Sequence, residues 1–170
     1  DIPRRLNLND KIIVDSRNHE KLTPTEIIAV SSQIGASLIS LEVGYDDLTN
    51  NYYYFGFTKP VSVNFPSSAF GYMNVKDDIS TSRQIISPES ASYVLKALQE
   101  VVQDGTAPAA NIKGFSVAGK TGTAHQIRGR SGYAEDLYIA SFAGITPISD
   151  ESLTIFVSIN NPGLNSYTGG

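Results

Sequence analysis

The last third of the chain leaves few folds open. Three runs of strand length follow one another, Phe115 to Ala124, Tyr138 to Ile145 and Leu153 to Asn160. The first is made of small and partly β-branched residues. The link after it, Gln126 to Asp136, holds Gly129 and Gly132 and reads as a loop, and Ile148-Ser149-Asp150-Glu151 is a tight connection. Three strands joined by short links with no helix between them should form an antiparallel sheet.

Two helices precede this meander. Thr23-Pro24-Thr25-Glu26 combines an N-cap, a proline suited to the first helical position and a glutamate that closes a capping box. Ile27, Val30, Ile34, Leu38 and Leu41 recur at helical spacing, and Gly44 is a stop, which predicts a helix over about 24–42. Ser31 and Gly35 fall in its apolar stripe. Either they allow close packing, with the hydroxyl bonded to the carbonyl four residues back, or the hydroxyl is presented into a cleft. A second helix starts at Ser87-Pro88, buries Ala91, Val94, Leu95, Leu98, Val101 and Val102, and ends at Gly105, with Glu89, Lys96 and Glu100 on a solvated face. The aromatic run Asn50 to Phe57 reads as a helix end with a turn or as the edge of a core, rather than as a ligand cage. Helices before a meander give α+β, an antiparallel sheet flanked by helices, rather than βαβ.

At 170 residues one domain is the default. Cysteine is absent, and the two histidines, His19 and His125, cannot make a zinc site alone, so no metal or other cofactor is expected. A net charge of −4 without blocks of like charge argues against nucleic acid as a partner. No apolar run approaches the ~18 residues that span a bilayer, and the opening Asp1-Ile2-Pro3-Arg4-Arg5 does not read as a signal peptide.

Gly114-Phe115-Ser116-Val117-Ala118-Gly119-Lys120-Thr121 fits the P-loop pattern. That motif works only between a buried strand and a helix N-terminus facing the phosphates. Here Gly105 to Lys113 reads as loop, and Thr121-Gly122-Thr123-Ala124 is a poor helix start. A nucleotide-binding protein is therefore the remote alternative.

The same lysine belongs to a better pattern, Lys120-Thr121-Gly122-Thr123 inside a strand. Alone it would mark only an edge strand blunted by a lysine. Its context is wider. A Gly-rich loop with Tyr133 follows, then Tyr138 to Gly144, Thr154 to Pro162 and a closing Tyr167-Thr168-Gly169-Gly170, while Leu22 to Gly35 upstream carries Ser31-Ser32-Gln33. Together these closely resemble the transpeptidase domain of class B penicillin-binding proteins, most of all the septal cell-division branch of Gram-negative bacteria. The resemblance covers most of 19–44 and 105–170.

The resemblance implies a penicillin-binding fold and a serine-type D,D-transpeptidase that cross-links peptidoglycan stem peptides ending in D-Ala-D-Ala and is acylated by β-lactam antibiotics. It implies a periplasmic domain of a protein anchored in the bacterial inner membrane, working beside other division-site membrane proteins. Ser31 matches the proton-relaying serine of the family's middle motif. Gln33 stands where the family has asparagine and is one methylene longer. Lys120 would support the proton network, and Thr121 and Thr123 would hold the substrate carboxylate, with the Thr123 N–H as half of an oxyanion hole. Gly122 would allow the substrate strand to approach closely, and Tyr133 and Tyr167 would line the cleft.

One part of the family pattern is missing. The residues three before the lysines are Leu8, Asn18, Gly56, Met73, Tyr93, Ala110 and Val117, so Ser-x-x-Lys, the nucleophile and its base, does not occur. Ala69-Phe70-Gly71-Tyr72 resembles a family turn, but the helix expected after it does not follow. Either residues 1–170 are a partial domain, with artificial seams near 68–69 and 72–80, or the chain is a non-catalytic binding remnant of the fold. Losing core helices of the fold would expose a large apolar surface, which favours the first.

Overall fold

The computed structural model describes residues 1–57, 59, 84–127, 132–149 and 151–163. The anticipated seams, the Ala69–Tyr72 turn and Tyr167 all lie outside these residues.

The architecture is the expected α+β. Strands β1 (Leu6–Leu8) and β2 (Lys11–Ile13) form an antiparallel hairpin with Leu6 opposite Ile13. Helices α1 (Pro24–Ala29), α2 (Gln33–Val43), α3 (Tyr45–Tyr54) and α4 (Pro88–Gln103) follow, then a short 3-10 turn at Pro108–Ala110. Strands β3 (Ala118–Ile127), β4 (Tyr133–Thr146) and β5 (Leu153–Asn160) form an antiparallel sheet in the order β3-β4-β5. Lys120 and Thr121 therefore lie inside a strand, and no helix begins there, which removes the nucleotide-binding alternative.

The helix starts follow their capping residues. Thr23 Oγ1 accepts from Glu26 N at 3.3 Å, and the Glu26 carboxylate accepts from Thr23 N at 2.7 Å, so the capping box forms in full. Ser87 caps α4 by accepting from Ser90 N at 3.0 Å.

Three expectations are corrected. The helix predicted over 24–42 is broken after Ala29, and the chain restarts at Gln33 with Ser32 as its N-cap. The aromatic run is a helix end followed by a turn, one of its two readings, but it is not the edge of a core, since α3 buries no residue. The first strand starts at Ala118 rather than Phe115 and continues to Ile127, and β4 begins at Tyr133, so much of the expected loop is strand. The acidic residues in Tyr133-Ala134-Glu135-Asp136 are poor strand formers and hide it.

Two apolar clusters meet at α1. Ile27 joins Ile2 and Ile34, with Leu6, Ile13, Leu22 and Leu38 packed around them. Its neighbour Ile28 packs against the other cluster, Val101, Val102, Ala107 and Val117, together with Phe142 of β4. Helix α1 is thus clamped between the hairpin with α2 and α4 with the sheet. Of the face expected for α4, Val101 and Val102 are buried, but Val94 is exposed and Ala97 is buried instead.

Glycines set the close approaches. A Cβ on Gly35 would meet Ile27 Cγ1 at 2.6 Å, so Gly35 is what lets α2 lie against α1. A Cβ on Gly105 would strike the Ala29 carbonyl oxygen and meet Val101 Cα at 2.7 Å. The end of α4 therefore passes directly beside the end of α1. Gly119 and Gly144 are paired across β3 and β4, and the Phe142 ring fills the space both leave.

Candidate active site

Ser31 is presented by a break in the backbone, not by a helix face. Its φ is +59°, the left-handed region that L residues seldom occupy outside Asn, Asp and Gly. Around it Ser31 N donates to Ile28 O at 3.3 Å and Ser32 N to Ile27 O at 3.0 Å, which turns the chain out of α1. The hydroxyl is not spent on a carbonyl four residues back. It accepts a hydrogen bond from Lys120 Nζ at 2.8 Å. Of the two readings of Ser31 and Gly35, close packing holds for the glycine and presentation holds for the serine.

Lys120 reaches Ser31 from β3, the end strand of the sheet among the described residues. Its ammonium also lies 3.4 Å from the Thr121 carbonyl oxygen and 3.5 Å from the Thr121 hydroxyl. Burial removes water from the ammonium and holds the Lys120 pKa below the ordinary lysine value. A partly desolvated lysine bonded to an exposed serine hydroxyl can pass a proton to or from an atom placed above the serine.

Thr121 is oriented from behind. Its hydroxyl shares a hydrogen bond of 2.9 Å with that of Thr106, which follows Gly105 at the close crossing of α4 and α1. Thr123 is exposed on the same strand. Among the described residues β3 has a strand partner on one side only, so its outer edge is open to an extended peptide. A Cβ on Gly122 would meet Ser141 Oγ at 2.6 Å. The missing side chain thus makes room for a neighbour in the sheet.

The other expected site residues divide. Gln33 is the exposed first residue of α2, two positions after Ser31. Tyr133 pairs with Ile127 at the far end of β3, seven residues beyond Lys120. At ~3.3 Å per residue that is ~23 Å from the lysine, so the structure does not bring Tyr133, 73% exposed, to this cluster. Strands β3 and β4 run on past the motif and carry the tyrosine away from it. Tyr167 lies outside the described residues. Among the described residues no group of three or more His, Cys, Asp or Glu could hold a metal ion, and no helix is long and apolar enough to cross a membrane.

Two positioning groups escaped the sequence reading. Thr106 gave no sign beyond its place after a helix stop. Asp15 closes the hydrophobic run Ile12-Ile13-Val14, and its carboxylate accepts from Ser32 Oγ at 2.6 Å and from Ile34 N at 3.0 Å.

Comparison with known proteins bears on the same residues. The family model of the penicillin binding protein transpeptidase domain matches residues 75–170, which include Lys120 to Thr123. The peptidoglycan D,D-transpeptidase FtsI of Buchnera aphidicola is 34% identical over 117 residues, 68% of this chain and 19% of that protein. PbpC of Pseudomonas aeruginosa is 28% identical over 214 residues, 99% of this chain and 38% of that protein. The crystal structure of penicillin binding protein 3 from Mycobacterium tuberculosis, complexed with aztreonam, shares the fold. It superposes with a TM-score of 0.81 at 21% identity, over 95% of this chain and 50% of that one. The chain thus spans half or less of the length of each of these proteins.

Proposed function

The chain belongs to the penicillin-binding protein transpeptidase family, and from that premise we propose that it forms part of a peptidoglycan D,D-transpeptidase. The observation that carries this reading is the 2.8 Å bond from Lys120 to Ser31, which joins two motifs 89 residues apart at an open strand edge.

In the proposed reaction a serine attacks the carbonyl of the penultimate D-Ala of a stem peptide. The terminal D-Ala leaves and an acyl-enzyme remains. An amine of a neighbouring stem peptide then attacks the ester, forms the cross-link and returns the serine. Ser31 and Lys120 move the proton between the leaving or attacking nitrogen and the site. Thr121 and Thr123 hold the peptide carboxylate beside the lysine's positive charge, Gln33 faces the substrate amide, and the β3 edge pairs with its backbone. A β-lactam presents the same carboxylate and strained amide and stays attached after acylation. The aztreonam bound to the Mycobacterium tuberculosis protein supports this choice of ligand class.

The attacking serine is assigned to a segment outside these 170 residues, because Ser-x-x-Lys is absent from them. The match to PbpC supports a partial domain. It runs over 214 residues against a chain of 170, so the relative carries internal segments with no counterpart here. The likeness to FtsI supports the peptidoglycan D,D-transpeptidase activity, and the place proposed for it is septal wall synthesis, in the periplasm beside other division-site proteins.

Incubation of the longer protein with a peptide ending in D-Ala-D-Ala tests the reading. Release of D-Ala, blocked by aztreonam, is expected, while the 170-residue chain alone releases none. If the longer protein releases no D-Ala and takes up no penicillin, the reading is wrong. Penicillin uptake by the 170-residue chain alone would place the nucleophile inside it and overturn the partial-domain assignment.

A further inference from the structure

We propose that Asp15 is a positioning residue for the Ser31–Lys120 pair: its carboxylate holds the chain broken between α1 and α2 and so keeps the Ser31 hydroxyl on the lysine. The geometry rests on four bonds. Asp15 Oδ2 accepts from Ser32 Oγ at 2.6 Å and Oδ1 accepts from Ile34 N at 3.0 Å. Ser32 Oγ in turn accepts from Gly35 N at 2.9 Å, and Ser31 Oγ accepts from Lys120 at 2.8 Å. Ser32 is the buried polar side chain of this region, 3% exposed, and Asp15 uses its hydrogen.

The inference follows from a conflict between local and tertiary preference. Ile27, Val30, Ile34 and Leu38 are spaced for one uninterrupted helix, and nothing in Val30-Ser31-Ser32 is a strong breaker. A continuous helix would give Ser31 an ordinary backbone and turn its hydroxyl back to the carbonyl of Ile27. The observed corner instead puts Ser31 at φ +59°, a conformation that persists only where the surroundings over-determine it. The first N–H groups of α2 need acceptors once the helix is interrupted. Ser32 and Asp15 supply them, and a negative charge there suits the helix dipole. Asp15 follows β2, whose hairpin packs Leu6 and Ile13 on Ile27 and Ile34. The carboxylate therefore comes from a fixed element and selects the broken form over the continuous one.

This role rests on the transpeptidase reading for its kinetic consequence and on the structure alone for its geometric one, so two arms test it. In the longer protein, saturable acylation by a fluorescent penicillin separates initial binding from the limiting acylation rate. Asp15→Asn, which keeps the shape and loses one charged acceptor, is expected to slow the limiting rate between about tenfold and 100-fold, since misplacing a reacting group by about 1 Å has that effect. Initial binding should change less than about twofold and the melting temperature by only a few degrees. Ser32→Ala cuts the same link from the other side, and the double variant should be no slower than the worse single one. An unchanged limiting rate in both single variants, or independent multiplying effects, would overturn the proposal. The Ser32→Ala result decides the matter if Asp15→Asn does not fold. The geometric arm is a crystal structure of Asp15→Asn. The Ser31 hydroxyl is expected to leave Lys120, and a retained contact at φ near +60° would contradict the role. If the wild-type protein is not acylated at all, the transpeptidase reading fails and the geometric arm still decides for or against Asp15.

Discussion

Lys120 Nζ donates to Ser31 Oγ across 2.8 Å and 89 residues of sequence. Neither residue stands out in its own element. The serine sits at a turn that the local pattern does not announce, and the lysine sits on an edge strand, where lysine is common. What makes them a site is the clamping of α1 between two apolar clusters, with Ile27 facing one and Ile28 the other. That fixes the end of α1 through α4, which packs on both α1 and β3.

The lysine works against the stability of the fold. Its folded pKa is lowered by desolvation, so the unfolded chain binds more protons in the window between the lowered value and the ordinary lysine value. Stability should therefore rise with pH through that window. Lys120→Met removes the half-buried charge, so the variant should be as stable as the wild type or more so at neutral pH, and should lack this rise. Urea denaturation at a series of alkaline pH values checks both. A Lys120→Met variant clearly less stable than the wild type would mean that the ammonium's hydrogen bonds outweigh its desolvation.

Gly35 carries the contact between α2 and α1. Gly35→Ala would drive a methyl to 2.6 Å from Ile27 Cγ1, and Ile27 is buried and β-branched. Overpacking of this kind costs about 1–3 kcal/mol, against the small gain alanine brings to a helix. Ile27→Ala in the same chain should make the added methyl tolerable, so the double variant should lose less than the sum of the two single losses. Additive losses in equilibrium unfolding would show that the two residues do not press on each other.

The capping box gives an acid-side test. The Thr23 backbone N–H and then its hydroxyl hold the Glu26 carboxyl below the ordinary carboxylate range. The stabilisation is complete above the unfolded carboxylate value and is lost as pH falls through the folded one. Thr23→Ala removes an N-cap, worth about 1 kcal/mol. The difference between variant and wild type should be largest at neutral pH and shrink on acidification. A difference that stays constant down to acid pH would show that the cap acts without the glutamate.

Much of this arrangement is legible in the sequence because it is local. Thr23-Pro24-Thr25-Glu26 and Ser87-Pro88 state their helices through the chemistry of orphan N–H groups, and the strand runs with their short links state an antiparallel sheet. The resemblance to a known family joins Ser31 and Lys120 in one site from their motifs alone. The break after Ala29 is not legible, because an aspartate 17 residues from Ser32 enforces it. The β1–β2 hairpin is equally quiet. Its strands have three residues each, and only Asn9-Asp10, with Asn9 at φ +51°, marks the turn. Helix α3 is legible only at its aromatic end, because it buries nothing and so carries no apolar stripe. Tyr133 was misplaced because strand length, not residue type, decides how far it travels from Lys120.

The most direct test of the central claim is the rate at which a fluorescent penicillin acylates the longer protein, compared between wild type and Lys120→Met at equal folded fraction. The account predicts that the wild type is acylated and that Lys120→Met loses about 10²- to 10⁴-fold in rate, the range of a positioned acid–base group. A wild type acylated no faster than Lys120→Met would contradict it, because the lysine that holds Ser31 would then have no part in the reaction.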